Sequence, residues 1–455
     1  MASTKKISSG FIYFFGAFGG ILFGYDIGVM TGALPFLQND WGLTNATIIG
    51  WITSAVMFGA IFGGALAGQL ADKLGRRKMI LISAVIFAIF SVLSGVSPNQ
   101  GSYFLIIMRV LLGLAVGAAS ALVPAYISEL APPHLRGRLS GLNQTMISSG
   151  MLISYIVDYL LRGLPEHLAW RFMLAFAAIP AIILFVGVLR LPESPRFLIK
   201  NNKKEDAYKV LSYVRKEDEI EEEVENISKT ATQEIKAEKK TSLSNLFSSK
   251  YRYLVIAGVG VAAFQQFQGA NAIFYYIPLI VEDATGKEAT GQLFWSVIQG
   301  IILVVGSLVY MWIAEKINRR SLLIVGGSVM GLSFIFPAVI KWIAPNTSSM
   351  LVVVFLCIYV AFYSATWAPL TWVLVGEIFP LAIRGRASGL ASSLNWVGSW
   401  GVGLLFPIMT AAFAQETVFV IFGIICLFGA LFVKTRVPET RGRSLEEIEE
   451  KGLNK

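Results

Sequence analysis

Apolar segments long enough to cross a bilayer follow one another along the whole chain, each closed by a short polar or charged loop. A span needs about 20 predominantly apolar residues. Twelve segments qualify, near 11–36, 49–71, 79–97, 103–127, 139–161, 170–190, 252–280, 291–314, 321–343, 350–375, 387–412 and 417–436. A charged stretch, 197–250, separates the first six from the last six. The pattern predicts an all-α polytopic membrane protein. Within the charged stretch Ala207, Val210, Leu211 and Val214 recur at helical spacing, as do Ile220, Val224 and Ile227. That spacing predicts short amphipathic helices lying under the bundle rather than a flexible linker. The basic N-terminus followed by an apolar run has the outline of a secretion signal. The run continues past Phe23 to about Phe36, too long for one, so it reads as the first span.

Small residues repeat inside the spans. Gly16, Gly20, Gly24 and Gly28 lie four apart on one face of the first, and Gly59 with Gly63 and Gly113 with Gly117 repeat the spacing. Such stripes let helix backbones approach closely.

The two sets of six spans repeat each other. Glu129-Leu-Ala-Pro-Pro-His-Leu-Arg-Gly-Arg138 after the fourth matches Glu377-Ile-Phe-Pro-Leu-Ala-Ile-Arg-Gly-Arg386 after the tenth. Ala71-Asp-Lys-Leu-Gly-Arg-Arg77 matches Ala314-Glu-Lys-Ile-Asn-Arg-Arg320, and Pro192-Glu-Ser-Pro-Arg196 matches Pro438-Glu-Thr-Arg-Gly-Arg443. Three paired motifs in register predict two six-helix bundles related by a parallel repeat, with a binding site between them. The expected division is a first bundle over 1–196, linker helices over 197–250, a second bundle over 251–441 and a tail over 442–455.

Composition agrees with this outline. The 455 residues are 55% hydrophobic and only 15% charged, less charge than a soluble protein of this length carries. The formal charge of +9 gathers in short loops on one side, so it sets orientation and does not point to nucleic acid. The opposite loops hold little beyond Arg162, Lys287 and Lys341. The positive-inside rule places both termini and the central stretch in the cytoplasm of a multi-pass protein of the cell membrane. Cys357 and Cys426 lie in apolar segments, and His134 and His167 fall in loops without ligand-like neighbours. No metal, cofactor or enzymatic role is expected, and no phosphate-binding loop supports a pump driven by ATP.

The candidate chemistry sits in two places. Gln265, Gln266, Gln268, Asn271 and Tyr275 interrupt the seventh apolar segment. Amides in hydrocarbon need partners, either a neighbouring helix or a ligand. A pyranose suits them, because each amide offers donors and an acceptor to a hydroxyl. Gln268, Asn271 and Tyr275 share one face of a straight helix, whereas Gln266 is far round it. If Gln266 and Asn271 touch one ligand, the helix breaks near Gly269. Asp26 and Arg109 are the second place. From the two ends of their spans, Asp26 lies about 22 Å up and Arg109 about 9 Å down in a core of about 30 Å, so they can pair. The arginine keeps the carboxylate charged, and its loss lets the carboxylate take a proton. A static packing pair is the other reading.

At Asp72-Lys-Leu-Gly-Arg-Arg77, Pro192-Glu-Ser-Pro-Arg196, Gln265-Gln-Phe-Gln-Gly-Ala-Asn271 and Pro438-Glu-Thr-Arg-Gly-Arg443 the chain resembles the sugar porter family of the major facilitator superfamily over nearly its whole length. The resemblance implies a monosaccharide carrier using alternating access. It implies sugar contacts at Gln144, Gln265, Gln266, Asn271, Trp367 and Asn395, with Tyr275 and Trp396 nearby. An aspartate at position 26 goes with proton symport in that family, so Asp26 and Arg109 become the coupling pair. Arg76, Arg77, Glu129, Arg136, Glu193, Arg196, Glu377, Arg384, Glu439 and Arg441 become a gate network tying the bundles together in the outward-facing state. Leu303, Glu315 and Asn318 depart from the family pattern. The expected partners are a small sugar, protons and lipid, for a protein acting as a monomer. A facilitated uniporter with the same site and a non-transporting sugar sensor are the alternatives.

Overall fold

The computed structural model describes residues 8–132, 136–229, 246–248, 251–314, 316–348, 350–380 and 383–441, with backbone alone for 136–140. Helices account for the architecture, and no strand occurs among the described residues. The first half contains α1 (Ser9–Ala17), α2 (Gly19–Trp41), α3 (Ala46–Leu74), α4 (Arg76–Gly95), α5 (Ser102–Leu130), α6 (Arg136–Leu161), α7 (Glu166–Phe176) and α8 (Ala178–Val188). Three short helices follow: α9 (Pro195–Lys200), α10 (Lys204–Leu211) and α11 (220–229). The second half contains α12 (Arg252–Phe267), α13 (Ala270–Thr285), α14 (Leu293–Ile313), α15 (Arg319–Ile343), α16 (Met350–Phe362), α17 (Ala368–Ile378), α18 (Arg384–Ala412) and α19 (Gln415–Arg436).

Joined across their breaks, α1–α2, α7–α8, α12–α13 and α16–α17 each form one span, so twelve spans make two six-helix bundles. The first span runs on to Trp41, beyond the apolar limit near 36, because Gln38, Asn39 and Asp40 continue the helix past the hydrocarbon-like segment. Nine spans are long and uniformly apolar among the described residues. The other three, α6, α12–α13 and α18, carry the amides.

Glycines hold the bundles together from within. A Cβ on Gly59 or Gly63 would overlap the carbonyl oxygens of Val110 and Leu114, and one on Gly113 or Gly117 those of Val56 and Ala60. The backbones of α3 and α5 therefore touch directly. The same holds for α2 on α6, where Gly24 meets Ile147, Gly28 meets Ser154 and Gly32 meets Asp158.

Amphipathic helices do form in the charged stretch. Ala207, Val210 and Leu211 are buried on α10, and Ile220 and Val224 on α11. Val214 lies beyond the end of α10, in the turn that follows. Arg215 in that turn donates to the carbonyls of Leu130 at 2.9 Å and Ala131 at 3.0 Å, at the end of α5. It also pairs with Glu223 at 3.1 Å, which ties the short helices to the first half.

Candidate functional site

The seventh span breaks where the amides are. Gly269 has φ +85°, a left-handed conformation that costs glycine little, and α13 restarts at Ala270. On a straight helix Gln266 and Asn271 would stand about 140° apart. The break brings them together, and Asn271 Nδ2 donates to Gln266 Oε1 at 3.0 Å. Asn271 also donates to Ser399 Oγ of α18. Gln265 Oε1 accepts from Asn395 Nδ2 at 2.7 Å, and its Nε2 donates to the carbonyls of Trp367 at 3.1 Å and Ala368 at 3.0 Å. Those carbonyls lie at the end of a π-helical turn, Tyr363–Trp367, which offsets the tenth span's ladder and turns acceptors outward. Gln266 Nε2 closes the network on Asn395 Oδ1 at 3.3 Å. Asn395 also donates to the carbonyl of Ala262 at 2.8 Å.

Four of the expected residues, Gln265, Gln266, Asn271 and Asn395, therefore form one amide cluster. Ser399 joins it and was not anticipated. Its signal was its place one turn beyond Asn395 on α18. Gln268 turns away, correcting the straight-helix face it was assigned with Asn271 and Tyr275. Its carbonyl accepts from Tyr359 at 3.0 Å, and its side chain lies against Gly429 of α19. Trp367 presents its carbonyl to the cluster while its ring is fully buried, with Nε1 donating to Leu323 of α15 at 2.9 Å. Trp396 is buried and reaches the first half, edge-on to Phe23 at 5.4 Å. Gln144 on α6 is half-buried and stays outside the network. Leu303 is buried, which keeps that part of α14 apolar.

A methyl group at position 269 would meet the Phe422 ring at 2.8 Å in a backbone conformation that alanine resists. Gly269→Ala is expected to lower stability by about 1 kcal/mol or more. It should also weaken sugar binding, because the amides lose their convergence. A melting curve and a sugar titration on one preparation check both, and unchanged affinity would show that the break does not position the amides.

The second place lies in the first half. Arg109 Nη1 stands 3.6 Å from Asp26 Oδ1, and each side chain is only 1% exposed. Good charge-assisted bonds are nearer 2.8 Å, so this pair is slack. Arg109 Nε donates to the carbonyl of Ile52 at 2.9 Å, while Arg109 Nη2 and Asp26 Oδ2 have no partner. Tyr275 belongs here rather than with the amides. It is fully buried, its hydroxyl is unpartnered, and it interacts electrostatically with both Asp26 and Arg109. A residue of the second half thus lies within electrostatic range of the ion pair of the first.

The charges at the span ends pair differently from the expected gate. Arg76 meets Asp72 at 2.8 Å and Glu129 at 3.4 Å, and Asp72 also meets Lys200 at 3.2 Å. Glu193 accepts the Arg77 backbone N–H at 3.0 Å at the start of α4, and Ser194 bonds Glu129. The second half repeats this: Arg319 meets Glu377 at 3.2 Å, and Glu439 accepts the N–H groups of Arg319 at 3.0 Å and Arg320 at 3.1 Å at the start of α15. Carboxylates at helix N-termini are stabilised by the free N–H groups there. Arg384 donates to Phe379 at 3.1 Å and Arg441 to Lys316 at 2.9 Å. Each of these pairs lies within one half. Each Glu instead sits beside the helix start of its own repeat, a nearer partner than the opposite bundle. Arg196 lies in the first turn of α9, the Arg136 side chain lies outside the described residues, and so does Glu315.

The family described as Sugar (and other) transporter matches residues 12–451. The chain belongs to that family. This sugar transporter is 42% identical to the D-xylose transporter of Levilactobacillus brevis, over 98% of this chain and 96% of that one. It is 38% identical to the glucose transporter GlcP of Staphylococcus epidermidis, over 98% of this chain and 97% of that one. Among solved structures it resembles a partially occluded, inward-open conformation of the xylose transporter XylE from E. coli, with a TM-score of 0.84 at 28% identity over 96% of this chain and 99% of that one. It also resembles a structure of the proton:xylose symporter XylE bound to 6-bromo-6-deoxy-D-glucose, with a TM-score of 0.81 at 29% identity over 97% and 98%. The transporter has the major facilitator fold and is not an enzyme.

Proposed function

We propose that the protein is a proton-coupled monosaccharide symporter working by alternating access, with the sugar held between the bundles and both termini cytoplasmic. The observation that carries this reading is the slack Asp26–Arg109 pair, sealed in the first half and within electrostatic range of Tyr275 on the same broken span that gathers the amides. A change at the sugar thereby has a short mechanical route to the proton site. The relatives support the substrate class, since their names assign them xylose and glucose, and one is a proton symporter.

The conformation supports the cycle. On the face away from the termini, Thr31 bonds the carbonyl of Phe274 and Thr53 bonds Tyr276, each at 2.5 Å and each between halves. Gln299 donates to Tyr155 at 3.3 Å across the same seam. On the terminal face Arg76 pairs with Glu129 and Arg319 with Glu377, each within its own half. Under the positive-inside orientation, the outer side is shut. Sugar leaving the amides toward the cytoplasm frees α13 to move. Tyr275 moves with it, Asp26 and Arg109 separate, and the proton on Asp26 is released or taken according to the side that is open.

The protein reconstituted in vesicles is expected to accumulate a pentose or hexose when a pH gradient, acid outside, is imposed, and to stop when the gradient is collapsed. A panel of both sugar classes identifies the substrate. Equilibration without accumulation for every sugar would point to the uniporter.

A further inference from the structure

Asp158 takes no part in the reading above, yet it is a fully buried carboxyl near the outer end of α6. It is 1% exposed, and among the described residues neither of its oxygens has a side-chain partner, only the backbone of Gly32 approaching it as a donor. It packs against Gly32 of α2, in the space a side chain would need. The titratable groups that interact with it are Tyr25 of α2 and Tyr155 of its own helix; no arginine, lysine or histidine does among the described residues. From α14 the uncharged Gln299 bonds the neighbouring Tyr155 at 3.3 Å.

An anion in such a place costs several kcal/mol, far more than a neutral carboxyl. Arg109 offsets part of that cost for Asp26, and Asp158 has no equivalent. The closed seam therefore accommodates Asp158 as the acid. Thr31, next to Gly32, and Tyr155, one turn from Asp158, are the residues that bond the opposite half. When the halves part on this side those bonds go and water reaches the carboxyl. A hydrated aspartate ionises near pH 4 and is an anion at neutral pH.

We propose that Asp158 is a second protonation site, which takes up one proton as the outer seam closes and returns it as the seam opens. The inference rests on the alternating-access reading. In the step a hydronium ion outside gives its proton to the carboxylate, leaving water and a carboxylic acid, and no electrons change hands. The closed state holds one proton more than the open state, so falling outer pH favours closure and rising pH opposes it. This proton goes back to the side it came from. It sets the pH range of the carrier without adding to the accumulation that Asp26 drives.

The test uses sugar exchange at equal pH on both sides of the vesicle, in an Asp26→Asn background that removes the first proton site. That background is expected to lose exchange with rising pH, by up to about tenfold per unit for one linked proton. Adding Asp158→Asn should make exchange independent of pH at its low-pH rate. A double variant that keeps the full pH dependence overturns the proposal. Asp158→Ser is the second variant, since Ser154 one turn earlier packs against Gly28 in the same way. Infrared difference spectra give a readout independent of transport. The purified wild-type protein at neutral pH should show the C=O stretch of a protonated carboxyl that Asp158→Asn lacks, and identical spectra overturn the proposal. Accumulation by Asp26→Asn alone would instead sink the coupling reading.

Discussion

The Asp26→Asn protein is expected to lose sugar accumulation entirely while exchanging labelled sugar across the membrane at a rate near wild type. Asparagine fills the same space beside Arg109 and cannot carry a proton. Asp26 and Arg109 are each 1% exposed, and the 3.6 Å separation shows that the pair is held by charge more than by direct hydrogen bonding. Neutralising one partner of a buried pair leaves the other uncompensated, at a cost of about 3–5 kcal/mol. Arg109 retains its bond to Ile52, and the introduced amide oxygen can accept from the free Nη2, so part of that cost is recovered. Expression and melting temperature therefore fall, and exchange is the measurement that separates a folded uncoupled carrier from an unfolded one. Accumulation by the folded variant under an acid-outside gradient would remove Asp26 from the coupling scheme.

Gln265→Ala is expected to weaken sugar binding at least tenfold, about 1.4 kcal/mol. Its side chain is 2% exposed and makes four bonds, one to Asn395, two to carbonyls of the tenth span and a long one from Gln266. Truncation leaves those groups partly unpaired, and each buried orphan costs about 1–3 kcal/mol. Gln265 thus holds Asn395 and the π-helical turn in place, so stability should fall together with affinity. Gln266 is half-buried, donates only weakly at 3.3 and 3.4 Å and accepts from Asn271 at 3.0 Å, so its amide N–H groups are the more available to ligand. Gln266→Ala is expected to lower affinity with little loss of stability. Titration calorimetry and melting curves on both proteins check the contrast, and equal effects on stability would contradict the division.

The spans were legible because their signal is length and apolarity, which the bilayer imposes on each segment alone. The break at Gly269 was legible because two amides that suit one ligand stood on opposite faces of a straight helix. Gln268 and Tyr275 were not. Which face of α13 meets which neighbour depends on how far the chain rotates at Gly269, and that rotation is set by packing on Phe422 and Tyr359. Ser399 was hidden for another reason: a lone serine in a span most often bonds its own helix. The charged span ends were found but their partners were not, since a Glu after one span can serve its own helix repeat or the opposite bundle equally well by sequence. Asp158 gave no motif at all, and only its burial without a counter-ion sets it apart.

The self-contained charge clusters at the terminal face have a mechanical consequence. Glu193 and Glu439 each clamp a helix start of their own repeat, and the glycine seams lock backbone to backbone inside the first half. Each half can then swing as a stiff shell. On the closed side α3 packs directly on α18, where a Cβ on Gly50 would overlap the Leu404 carbonyl oxygen and the Trp51 ring lies 5.6 Å from Trp400, and hydrogen bonds at Thr31, Thr53 and Gln299 also cross between the shells. At about 1 kcal/mol net apiece they amount to a few kcal/mol. Reversing a two-state equilibrium from 1:99 to 99:1 takes about 5.5 kcal/mol. The hydrogen-bonded part of the latch is thus within what the binding of one ligand can throw.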